Sequence, residues 1–234
     1  MLLAIIPARF GSKGIPRKNI LDLCGKPMIQ YSIETAIGSK YIDEILISTD
    51  DDAVIEIASK LGLECKYRRP EELAQDTTSM VEVVDHSLKW FKSERGFLPD
   101  NIILLQPTSP LRNLYDVDRS IEIFQESHVQ SLISVHKLSE HPFECIKKDA
   151  CDWNFLAEPS NHVTRRQDFK EDFYFINGAI YLINTSLFLR EKFFFIKGQA
   201  LLYEMPRERG IDIDSMNDLI VARCLKEYFN LNLL

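Results

Sequence analysis

Short apolar runs alternate with stretches of helical period along most of the 234 residues. This alternation restricts the fold more than any other feature of the chain. Leu2–Pro7 is continuously apolar, as a strand covered on both faces must be. Pro27–Ile37 follows a Gly-Lys-Pro turn and carries Met28, Ile29, Ile33, Ala36 and Ile37 at helical spacing. Glu44–Ser48 reads as a second strand and Asp51–Leu61 as a helix, with Asp50 or Asp51 as its N-cap. Glu64–Tyr67 reads as a short third strand and Thr78–Lys92 as a long amphipathic helix. Asn101–Leu105 (NIILL) is the most hydrophobic strand, followed by a helix over Asp116–Glu126 and a strand over Ser131–Val135. The pattern breaks from His136 to about Asp172. It resumes at Gly178–Ile183 and Ala200–Tyr203, and a helix runs from Ser215 to about Phe229. Strands alternating with helices predict an α/β fold: a Rossmann-like, mostly parallel sheet with helices on both faces. One domain over residues 1–234 is expected, with residues 136–172 as an insertion too long for a simple connection.

The charge balance narrows the partners. There are 28 Lys and Arg against 35 Asp and Glu, a net charge of −7. General nucleic-acid binding wants a basic face, so it is excluded. No apolar run approaches the roughly 18 residues of a membrane helix. The N-terminal run lacks a preceding basic region and a following small-residue cleavage site, so it reads as a buried strand rather than a signal peptide. Cys24, Cys65, Cys145, Cys151 and Cys224 are odd in number and form no CxxC pair. Free thiols in a reducing cytoplasm are expected. His86, His128, His136, His141 and His162 show no zinc-binding spacing.

In parallel sheets, ligands bind beyond the carboxyl ends of the strands. Three such segments are polar here: Ala8–Asn19, Thr49–Asp51 and Gln106–Arg112. The first holds Arg9, Lys13, Arg17 and Lys18, four cations within ten residues, together with Gly11 and Gly14. Glycines allow close backbone approach, and free N–H groups beside Lys and Arg suit a polyanion such as a triphosphate. The loop is neither a GxxxxGK[ST] nor a GxGxxG sequence. Near the other end, Asp212 and Asp214 flank Ile213. On an extended segment the two carboxylates share a face, and two hard oxygen donors suit Mg²⁺, with Mn²⁺ as a substitute. Gln106 follows the most hydrophobic strand and Asn177 precedes a glycine, and each amide can donate and accept at once.

Seven segments in order resemble the sialic-acid cytidylyltransferases, also called CMP-acylneuraminate synthetases. They are Ile5–Asn19, Gly25–Ile29 (GKPMI), Ile47–Asp51 (ISTDD), Arg68–Ser79 (RRPEELAQDTTS), Leu104–Arg112 (LLQPTSPLR), Asn177–Tyr181 (NGAIY) and Ile211–Asp214 (IDID). The wider group includes enzymes for legionaminic, pseudaminic and 3-deoxy-octulosonic acids, the last resembling this chain less. The resemblance implies a nucleotide-diphospho-sugar transferase-like fold. It also implies a reaction in which CTP and an α-keto acid sugar give the CMP-sugar and pyrophosphate.

It assigns roles as well. Arg9, Ser12, Lys13 and Lys18 would hold the triphosphate, with Lys18 and Arg9 meeting the reacting phosphoryl group. Asn19, Arg69, Thr78 and Ser79 would contact the nucleoside. Gln106 and Asn177 would contact the sugar. Arg166 and Gln167 match an RQ pair on a protruding dimerisation arm, so a homodimer is implied in which Arg166 completes the neighbouring site. Asp212 and Asp214 would hold the metal, and Asp214 would accept the proton. Phe143, Trp153, Phe155 and Leu156 are the apolar residues this arm would leave in water. Two positions depart from the pattern. Phe175 stands where bacterial sialic-acid enzymes often carry an arginine, and Met80 where some carry a serine. Both make the sugar side more apolar, which suits a nine-carbon acid such as legionaminic acid as well as N-acetylneuraminate, with pseudaminic acid behind. A uridylyl- or guanylyltransferase of related fold, or a non-catalytic nucleotide-binding module, are the readings from outside this group.

Overall fold

The computed structural model describes residues 1–158 and 171–231. Its elements in chain order are β1 (Leu2–Ala8), β2 (Asp22–Leu23), β3 (Lys26–Pro27), α1 (Met28–Gly38), β4 (Glu44–Thr49), α2 (Asp52–Lys60), α3 (Met80–Arg95), β5 (Asn101–Leu104) and α4 (Leu114–Glu126). They continue with β6 (Ser131–Lys137), β7 (Ile146–Lys148), β8 (Trp153–Phe155), β9 (Tyr174–Asn184), α5 (Thr185–Glu191), β10 (Ala200–Glu204) and α6 (Met216–Leu231). Six strands form one sheet in the order β10-β6-β9-β5-β1-β4. Only β9 runs antiparallel to its neighbours, β5 and β6. The expected mostly parallel α/β sheet is the fold.

The apolar run of β1 explains why both faces must be covered. Leu2, Ala4, Ile6 and Ala8 pack with Ile29 and Ile33 of α1, Val54 of α2 and Val117 of α4. Leu3 and Ile5 point the other way, toward Val84 and Leu88 of α3 and Phe188 of α5. Successive side chains alternate across a strand, so a fully apolar strand fills two cores at once. A third cluster lies outside the six-stranded sheet, between α1 and α6. There Ile15 of the basic loop joins Leu111, Ile213, and Leu219 and Ala222 of α6.

Asp51 caps α2, accepting a bond from Ala53 N at 2.9 Å. Two expectations are corrected. Glu64–Tyr67 forms no strand ladder. Tyr67 is buried and its hydroxyl meets His86 Nδ1 at 2.8 Å, which draws the segment onto α3. A bond from Arg69 N to Thr49 O at 2.8 Å ties its end to β4. A gap of about 270 Å³ lies between the segment and β4. Within the insertion, Phe143 is buried rather than exposed, because it packs between the rings of His141 and Phe173. Trp153, Phe155 and Leu156 are exposed, the first two on the β7–β8 hairpin. All five cysteines are free. No helix among the described residues is long and apolar enough to cross a membrane.

Candidate active site

The basic loop leaves the carboxyl end of β1 and is pinned by carboxylates from three other segments. Phe10 N donates to Asp50 Oδ1 at 2.8 Å, and Arg17 Nη2 donates to Asp51 Oδ1 at 3.0 Å. Arg17 adopts a left-handed backbone, with φ of 53°, and turns the chain into a short 3-10 helix over Lys18–Ile20. That turn sends Lys18 inward, where its Nζ lies 2.7 Å from Asp214 Oδ1. Asn19 closes the loop on itself, its Nδ2 donating to Arg9 O at 3.0 Å. Arg9 Nη1 reaches Asp76 Oδ1 at 2.6 Å, and Lys13 Nζ lies 3.7 Å from the other oxygen of the same carboxylate.

A cleft of about 140 Å³ opens between this loop and the end of β5. Its walls include Arg9, Ser12, Lys18 and Asn19 on one side, Gln106 and Thr108 on another, and Arg69 with Met80 on a third. Five of the residues expected at the nucleotide, Arg9, Ser12, Lys18, Asn19 and Arg69, therefore share one cavity with Gln106, which was expected at the sugar. Arg69 is buried, its Nε donating to Ser48 Oγ at 3.0 Å and its Nη2 to Ser48 O at 2.7 Å. Burial lowers its pKa to about 10, so it stays a cation at neutral pH.

Other expected residues stand apart from the cavity walls. Lys13 is largely solvent-exposed. Ser79 is the N-cap of α3 and forms a capping box with Glu82, and Thr78 Oγ1 donates to Glu72 O at 3.3 Å. Asn177 is buried and accepts from Ser134 Oγ at 2.6 Å and from Ala179 N at 3.1 Å. Its Nδ2 finds no partner among the described residues. Phe175 is exposed, with its ring 5.5 Å from that of His136. Arg166 and Gln167 lie outside the described residues.

The acidic segment comes to the basic loop through its apolar centre. Ile213 is fully buried in the third cluster, while Asp212 and Asp214 face solvent, as alternation requires. The backbones meet closely: a Cβ at Gly14 would fall 2.4 Å from Asp214 O, so only glycine fits. Asp212 opens to solvent but is crowded by protein atoms. That partial desolvation raises its pKa, a bond from Thr108 opposes the rise, and the charge of Asp214 adds to it. The residues fit Mg²⁺ in chemistry: two hard carboxylates whose mutual repulsion a cation would relieve. Among the described residues no three His, Cys, Asp or Glu side chains form a ready metal cage. Phosphate oxygens and water would have to complete the shell, the usual arrangement for Mg²⁺ at nucleotide sites.

Some residues here carried no signal in the sequence reading. Asp76 lies inside RRPEELAQDTTS and Thr108 inside LLQPTSPLR, but neither position distinguishes itself by spacing. Arg112, from the same run, is buried with its pKa lowered to about 10 by desolvation. It donates to Ala179 O at 2.6 Å and to Ser32 Oγ at 2.7 Å, joining β9 to α1 behind Gln106.

Residues 3–204 match the sequence profile of the Cytidylyltransferase family. The chain belongs to this family. It is 34% identical over 224 residues to the pseudaminic acid cytidylyltransferase of Campylobacter jejuni, covering 95% of each chain. It is 32% identical to the CMP-N,N'-diacetyllegionaminic acid synthase of Legionella pneumophila, covering 97% of this chain and 96% of that protein. Against the N-acylneuraminate cytidylyltransferase of Streptococcus agalactiae it is 34% identical over 93% of its own length, but it spans only 51% of that relative. Its fold matches that of a CMP:2-keto-3-deoxy-manno-octonic acid synthetase solved with CTP. The TM-score is 0.68 at 18% identity, over 97% of this chain and 98% of that one. The resemblance read from the seven segments is borne out. This cytidylyltransferase has relatives named for three different sugar acids at nearly equal identity.

Proposed function

We propose that this cytidylyltransferase transfers the cytidylyl group of CTP to a nine-carbon α-keto acid sugar, in a reducing cytoplasm and as a homodimer. The observation that carries the reading is the Lys18–Asp214 contact of 2.7 Å. It brings a cation of the basic loop and a carboxylate of the IDID segment to one point beside the cleft. The anomeric hydroxyl oxygen attacks the α-phosphorus, the bond to pyrophosphate breaks, and the hydroxyl proton passes to a carboxylate. Such transfer needs positioning and charge neutralisation more than covalent catalysis.

Arg9, Ser12, Lys13 and Lys18 hold the triphosphate in this reading, and Asn19, Arg69, Thr78 and Ser79 hold the nucleoside. Lys18 donates to the phosphoryl oxygens as their charge grows. Its pairing with Asp214 must loosen as it does so, which frees Asp214 to take the proton. Asp212 and Asp214 would hold Mg²⁺ or Mn²⁺, which when bound would neutralise phosphate charge and polarise the phosphoryl oxygens. Gln106 and Asn177 meet the sugar, and Arg166 with Gln167 reaches it from the partner subunit. The exposed Trp153, Phe155 and Leu156 support an interface near the insertion.

The test incubates CTP, UTP or GTP with neuraminic, legionaminic, pseudaminic and octulosonic acids, with Mg²⁺ or with excess chelator. One nine-carbon acid is expected to give its CMP conjugate and pyrophosphate, seen by mass, with no product in chelator. Product from UTP or GTP alone, or none from any pair, refutes the reading. Full activity in chelator refutes the metal role.

A further inference from the structure

We propose that Arg209, held by buried Asp116, is a positioning residue that sets the Asp212–Asp214 carboxylates against Lys18. The inference rests on the proposed role of those carboxylates. Asp116 is fully buried. Arg209 grips it with a two-point fork, Nε to Oδ2 at 2.8 Å and Nη2 to Oδ1 at 2.9 Å. The Tyr203 hydroxyl donates to Oδ1 at 3.3 Å, and Asn113 N donates to Oδ2 at 3.2 Å in the capping box of α4. The carboxylate is thus fixed in place at the start of a helix. A buried charge tolerates only a well-satisfied geometry, so its partner is held there as well.

The grip lies three residues ahead of Asp212. Arg209 N and Gly210 N both donate to Pro206 O, at 3.0 and 3.2 Å, which makes a tight turn. At Gly210 the chain is pressed onto β9 and β6. A Cβ there would fall 2.5 Å from Asn177 Nδ2 and 3.1 Å from His136 Nδ1. Beyond Asp212 the next anchor is Ile213, fully buried, whose N donates to Thr108 O at 2.8 Å. Asp212 therefore hangs between two fixed points, and Asp214 follows the second. Neither Arg209 nor Asp116 lines the cleft. Their effect on chemistry would pass through the path of the chain. Groups that orient metal ligands in this way typically change metal affinity by about 10–100-fold when altered.

Arg209→Lys tests this, because lysine keeps the charge but replaces a two-point fork with one ammonium. Mn²⁺ bound to the enzyme–CTP complex is measured by electron paramagnetic resonance, and CTP alone by calorimetry in chelator. We expect Mn²⁺ affinity to fall about tenfold or more, turnover to fall with it, and metal-free CTP affinity to stay within twofold. The double variant Asp116→Asn/Arg209→Met removes the buried charge as well as the fork. It is expected to melt near the wild-type temperature and still bind Mn²⁺ weakly. Wild-type Mn²⁺ affinity in Arg209→Lys, or recovery of both melting temperature and Mn²⁺ affinity in the double variant, overturns the inference. If the wild-type protein itself neither binds Mn²⁺ with CTP nor transfers a cytidylyl group, the reading of the site falls, and this inference with it.

Discussion

The proposed nucleotide side, around the basic loop, and the proposed sugar side, around Gln106 and Asn177, are built from different materials. At the nucleotide end each loop cation already has a carboxylate: Arg9 and Lys13 share Asp76, Arg17 takes Asp51, and Lys18 takes Asp214. On the proposed sugar side, Gln106 and Asn177 are neutral amides, and the ring of Phe175 lies 5.5 Å from that of nearby His136. Gln106 Nε2 donates to Gly178 O at 3.3 Å, and buried Asn177 keeps an unpaired Nδ2. The difference separates two recognition problems. A triphosphate is a large, invariant charge, and preformed cations that exchange one set of oxygens for another suit it. A sugar acid differs from its relatives by hydroxyl and acetamido groups, which only directional bonds and close walls distinguish. Relatives of near-equal identity carry the names of different sugar acids.

The largest break in that contrast should come from Lys18→Ala. Losing one charged contact to the reacting phosphoryl group is expected to cost on the order of 100-fold or more in turnover. The fold should persist, because Lys18 fills no core. Steady-state rates with circular dichroism as the folding control check it, and near-normal rates would take the loop out of the mechanism. Mixing Lys18→Ala with Arg166→Ala sharpens the sugar end. If Arg166 serves the neighbouring site, random exchange makes half the dimers mixed, each with one intact site, and roughly a quarter of wild-type activity returns. Confirmed exchange without recovery would place Arg166 in its own subunit's site or in none.

The smallest effect concerns His136, at the sugar end beside Phe175. Burial lowers its pKa below the ordinary 6.5, and the charge of Arg207 lowers it further. The unfolded chain then takes a proton that the native chain resists, so stability falls as pH drops through about 6.5. His136→Gln should flatten part of the decline in melting temperature between about pH 7.5 and 5.5. An unchanged slope would show that His136 titrates as freely in the native protein as in the unfolded chain.

What was legible in the sequence was what local patterns dictate. The unbroken apolar run of β1 demands burial on both faces, and the alternation around Ile213 puts Asp212 and Asp214 on one side. Ordered segments carried the family, and the clustering of Arg9 to Lys18 carried an anion site. Pairing across long separations was not legible, because no spacing rule links residues that only the fold makes neighbours. Asp76 lies 67 positions from Arg9, Asp214 lies 196 from Lys18, and Arg209 lies 93 from Asp116. Glu64–Tyr67 read as a strand because four residues carry too little pattern to show that Tyr67 would be drawn to His86. Phe143 read as exposed because the rings that cover it, His141 and Phe173, include one 30 positions away. The sequence by itself therefore determined the sheet, the family and the chemical character of each segment, since periodicity and residue type act locally. Which carboxylate meets which cation was decided only by tertiary structure, since that depends on where the sheet brings distant loops together.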